Sequence, residues 1–73
     1  MKTRELNIGG SYRHYKGSLY KVVGVANHSE TLEEMVVYEA QYGKKELWVR
    51  PLEMFLEDVT VGGMKKPRFE EVK

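Results

Sequence analysis

Apolar positions in this chain never recur at i, i+3, i+4, i+7 for the ~11 residues that a convincing amphipathic helix requires. Short β-branched and aromatic runs separated by turn residues take their place, which predicts β structure throughout. Ser11-Tyr12-Arg13-His14-Tyr15 reads as a first strand, closed by Lys16-Gly17-Ser18, where Gly17 supplies a positive φ. Leu19 to His28 reads as a long second strand whose charge-free set, Tyr20, Val22, Gly24 and Ala26, points inward. Gly24 in mid-strand predicts a bulge or bend. A polar connection, Ser29 to Glu33, leads to a third strand, Met35 to Ala40, with Val36, Tyr38 and Ala40 on one side and Glu39 on a wetter one. Tyr42-Gly43-Lys44-Lys45 turns the chain into a fourth strand, Glu46 to Arg50. Its alternation predicts Leu47 and Val49 inward and Trp48 and Arg50 outward.

Pro51 ends that strand and opens a single helical turn, which brings Leu52 and Phe55 to the same side at i, i+3. Val59 and Val61 form a brief fifth strand, Gly62-Gly63 is a two-residue hairpin signal, and Pro67 restricts the arm from Met64 to Phe69 to an edge. Five to six short antiparallel strands, with one helical turn before the last of them, predict an all-β, SH3-like, partly open barrel. A curled open sheet covered by the helical turn is the competing architecture. The expected division is a lead-in over residues 1–9, the barrel domain over 10–69 and a tail over 70–73.

Length and charge narrow this picture. Seventy-three residues and 8.5 kDa hold one small domain, which excludes separate cofactor and substrate lobes. With no cysteine the chain has neither a disulfide nor a thiolate metal site, which fits a reducing compartment. It has no run of ~18 apolar residues and no signal-like start, so a cytoplasmic protein without membrane contact is expected. The net charge of +1 is unevenly spread: residues 1–25 carry +4, residues 26–60 carry −5 and the remainder +2. If the two ends lie side by side, the molecule gains a basic and an acidic side.

Tyr12-Arg13-His14-Tyr15-Lys16-Gly17, Val23 to Thr31, Val36-Val37-Tyr38 and Leu47-Trp48-Val49-Arg50-Pro51-Leu52-Glu53-Met54-Phe55 together resemble the bacterial family named domain of unknown function 1653, over about Gly10 to Phe69. The resemblance implies a small SH3-like domain and no assigned activity, cofactor or substrate.

The candidate chemistry is therefore read from the residues. His14 and His28, with Glu30, supply ligand types that zinc accepts at ~2.0 Å, and they would carry a small metal-dependent hydrolase if they converged. Their spacing matches no metal motif. His28-Ser29-Glu30 holds the residue types of a hydrolytic triad, but consecutive residues of an extended chain point in different directions. Gly9-Gly10 and Gly62-Gly63 lack the Lys-Ser/Thr pair of a phosphate loop, so no nucleotide cofactor is implied. The aromatic residues say more, because five Tyr, two Phe and one Trp exceed what so small a core encloses. Tyr15, Tyr42, Trp48 and Arg50 are expected at the surface, joined by His14 and His28, as a groove that grips a protein or peptide. The reading is a non-enzymatic binding module needing no cofactor, monomeric or weakly dimeric. Single-stranded nucleic acid held by the basic ends and the same aromatics is the alternative, opposed by the near-neutral charge.

Overall fold

The structure, a computed structural model, describes residues 6–72; residues 1–5 of the expected lead-in and Lys73 of the expected tail lie outside the described residues. Strands β1 (Ser11–His14), β2 (Leu19–Asn27), β3 (Glu34–Ala40) and β4 (Leu47–Pro51) come first. They are followed by a short helix α1 (Leu52–Phe55), then β5 (Asp58–Val61), β6 (Met64–Pro67) and β7 (Phe69–Val72). An antiparallel sheet runs in the order β4-β3-β2-β1-β7, and β5 and β6 form a separate hairpin. The domain is all-β with one short helix, as its pattern predicts. The five-stranded sheet does not close: β4 and β7 are its two free edges.

The arm after Gly63 differs from the expectation of one edge segment. It divides at Arg68, and residues 70–72, expected as tail, are strand β7 paired with β1 through Ser11–Val72 and His14–Phe69. The two ends of the described chain therefore do lie side by side. Their charges do not make a basic side, because Glu70 stands opposite Arg13. The described part of the lead-in, residues 6–9, is tied down as well: the Gly9 amide donates to the Val22 carbonyl at 2.8 Å, and the Asn7 backbone amide donates to the Tyr12 hydroxyl at 2.9 Å.

One face of the sheet carries the core. Tyr12, Val22, Val36 and Tyr38 are buried there, and Phe55 and Phe69 close over them with Leu6, Tyr20, Leu52 and Leu56 at the margin. Phe55 and Phe69 stack at 4.1 Å with 8° between their planes. A four-residue helix has no stability of its own. It persists because Pro51 sets its entry angle and Phe55 anchors it in the core, with Leu52 on the same side as the spacing predicts. Arg68 holds its far end, donating to the Met54 carbonyl at 3.1 Å and to the Glu57 carboxylate at 3.2 Å.

The bulge foreseen at Gly24 is present, and it has an effect that strict alternation misses. Register shifts between Val22 and Gly24, so Gly24 pairs with Val37 and Ala26 with Met35, on the outer face. Val25, opposite Val36, takes the inner side instead. In the β5–β6 hairpin Gly62 and Gly63 have φ of 57° and 80°, the doubly left-handed pair that a tight two-residue turn demands.

Candidate functional site

Directly paired residues of antiparallel strands share a face. Trp48 pairs with Tyr38 and Arg50 with Val36, so both side chains lie on the core side of the sheet, and Leu47 and Val49 lie on the outer side. This reverses the inside and outside assigned to β4 from its alternation. At a sheet edge neither face is fully covered, and Leu47 and Val49 remain 61% and 59% exposed. The inner face there meets Tyr38 and Phe69, which offer a hydroxyl and a ring edge to polar neighbours. Arg50 uses both: its Nε donates to the Tyr38 hydroxyl at 3.4 Å, and the guanidinium carbon lies 5.9 Å from the Phe69 ring centre.

Trp48 shares that inner face yet is 48% exposed, and Tyr42, in the β3–β4 turn, is 49% exposed. They line a depression of about 360 Å³ together with Ala40, Lys44 and Glu46. The Tyr42 and Tyr20 hydroxyls are 2.7 Å apart, which fixes the turn against the sheet. Burial, followed by the hydrogen bond with Tyr42, pushes the Tyr20 phenol up to about 12. Tyr20 is the partner of Tyr42 that the sequence pattern does not single out. Its signal is a tyrosine in a charge-free inward set near a strand end, where the ring packs and the hydroxyl still reaches a partner.

The remaining candidates lie elsewhere. His14 packs edge-on to Phe69 at 5.0 Å and against Tyr15 at 4.5 Å, and its Nδ1 accepts the Lys16 amide at 3.2 Å. Burial first, then the positive charges of Arg50, Lys16 and Arg68, hold the His14 imidazole below its ordinary value. His14 and Tyr15 border a second depression with Arg13, Met64, Lys65 and Lys66. His28 sits in the β2–β3 connection, where its Nδ1 accepts the amides of Glu30 and Thr31 at 3.1 and 3.3 Å and shapes its own turn. The structure does not gather His14, His28 and Glu30, and no set of three such ligands converges among the described residues. No helix among them is long and apolar enough to cross a membrane.

The profile of the family described as "Protein of unknown function (DUF1653)" matches residues 10–71, nearly the whole chain. The chain belongs to the DUF1653 family. A crystal structure of a DUF1653 protein from Bordetella bronchiseptica is similar to it, with 36% identity, 97% of this chain and 92% of that chain covered, and a TM-score of 0.84. No curated protein matches the chain. Membership in DUF1653 thus brings a fold and no assigned activity, and the function has to be argued from the depressions themselves.

Proposed function

We propose that this DUF1653 domain is a non-enzymatic binding module that takes an extended protein segment at the Tyr42–Trp48 depression. The observation that carries the reading is a pair of half-exposed rings, Tyr42 and Trp48, lining one open hollow together with Ala40. Tyr and Trp present large apolar surfaces with few rotatable bonds, so contact on them costs little ordering entropy. A proline or branched aliphatic side chain fits between two such rings, while Lys44 and Glu46 at the border offer polar contacts to the flanking backbone.

Selection of displayed linear peptides on the wild-type domain, with counter-selection on folded Trp48→Ala, tests the proposal. Enriched peptides are expected to shift Trp48 emission on titration and to bind the variant at least ~10-fold more weakly, a loss of about 1.4 kcal/mol. No enrichment, or equal binding to both proteins, overturns it.

The second depression supports a second reading, single-stranded nucleic acid. Arg13, Lys65 and Lys66 surround Tyr15 and His14 there, cations for phosphates beside rings for a base, although Glu70 lies on the same border. Anisotropy of a labelled oligothymidine checks it. Binding that weakens steeply with added salt is expected, and no binding at low salt removes the reading.

A further inference from the structure

The exposed edge of β4 carries a self-complementary pattern. The Ala40 amide donates to the Glu46 carbonyl at 3.0 Å, which sets the phase of the β3–β4 ladder. Hydrogen-bonded pairs alternate along an antiparallel ladder, so Tyr38–Trp48 and Val36–Arg50 are bonded pairs, and Val37–Val49 and Glu39–Leu47 are not. The Gln41 amide, donating to Leu19 on the other side of β3 at 2.9 Å, gives the same phase. The amides and carbonyls of Leu47 and Val49 therefore point away from β3, along a free edge of the sheet.

We propose that β4 pairs antiparallel with β4 of a second copy of this chain, about a two-fold axis at Trp48, fusing the two five-stranded sheets into one. In that register Leu47 faces Val49 of the second copy, and these are the residues whose amides and carbonyls point outward, so each such pair exchanges both backbone bonds. Trp48 meets its own copy on the inner face. Glu46 falls opposite Arg50 of the second copy, twice by symmetry, on the face that carries Trp48. Neither side chain forms an ion pair within its own chain among the described residues; Arg50 rests over the Phe69 ring and, of its donors, uses Nε on Tyr38. The other free edge, β7, carries Glu70 and Glu71 in succession, so pairing it with itself about either residue would set carboxylate against carboxylate. Opposite charges at the two ends and apolar residues between them distinguish β4 as the edge that accepts its like. The inference rests on ladder phase and charge, while Trp48 and Glu46 belong both to the seam and to the border of the Tyr42–Trp48 depression, so dimer and bound peptide would share these two side chains.

Sedimentation velocity on the intact chain, with no peptide present and from about 10 µM to about 1 mM, tests it across the range of a weak edge dimer. The mass is expected to rise from 8.5 kDa toward twice that value. Glu46→Arg and Arg50→Glu, each checked for folding by circular dichroism, should each stay monomeric. An equimolar mixture of the two should dimerise again, because each new charge then faces its complement. Val49→Pro removes only an amide that points off the sheet, so it should keep the fold and weaken association at least ~10-fold. A wild-type protein that stays at 8.5 kDa throughout overturns the proposal. So does a dimer that survives Val49→Pro, or a mixture of the two folded charge variants that remains monomeric.

Discussion

Phe55 is the side chain on which the inner face depends, and Phe55→Ala measures that dependence. The ring is wholly buried, stacked on Phe69 at 4.1 Å and in contact with Tyr12 and Tyr38, each at 5.4 Å between centres. Removing a fully enclosed phenyl from a core costs about 3–5 kcal/mol, and transfer of about 200 Å² at ~25 cal/mol per Å² gives an upper bound of similar size. A domain of this length has roughly 4–11 kcal/mol of total stability at 0.05–0.15 kcal/mol per residue. The substitution should therefore remove roughly a quarter or more of it. Because Phe55 is the one buried residue of α1, the helix should be released from the sheet before the rest unfolds. Urea unfolding followed by far-UV circular dichroism gives the global loss, and amide exchange at Leu52 to Leu56 gives the local one. Trp48→Ala is the matching control: with its ring half in water, about 100 Å² is at stake, so the cost stays below about 2.5 kcal/mol. If Phe55→Ala costs less than Trp48→Ala, the assignment of core and surface rings on this face is wrong.

The His14 imidazole titrates below its usual value in the folded state, so the unfolded chain binds more protons over the window between that depressed value and about 6.5. Stability should fall as pH drops through that window, and His14→Gln should flatten the slope when urea midpoints are compared from pH 7.5 to pH 5. Tyr20 should ionise near pH 12; Tyr42→Phe removes the hydrogen bond and should bring that step down in a spectrophotometric titration at 295 nm. Arg68→Ala deletes the bonds to the Met54 carbonyl and the Glu57 carboxylate, and should cost about 1–2 kcal/mol by urea unfolding while leaving the Trp48 emission maximum unchanged.

The parts of the fold that follow from neighbouring residues are legible in the chain: the strands bounded by turn residues, the Gly62-Gly63 hairpin, and the i, i+3 pair Leu52 and Phe55 on one side of a helical turn. What distant partners decide is not. Glu70 and Glu71 look like the start of a solvated tail, and only pairing with β1, more than fifty residues away, makes them a strand. Gly24 announces a bulge, but nothing local says that the extra residue moves Val25 inward and Ala26 outward. Trp48 and Arg50 fail for a further reason. A central strand must hide one face, so its alternation reports where the core lies. An edge strand with both faces partly wet is under no such demand, and Leu47 and Val49 stay exposed on the outer side while a guanidinium rests against Tyr38 and Phe69 on the inner. The pattern loses its meaning along the same stretch that leaves backbone groups, an indole and unpaired charges free to meet another chain. An alternation that misassigns the faces of a strand is therefore itself a pointer to an edge, and here that edge borders the depression on which the proposed function rests.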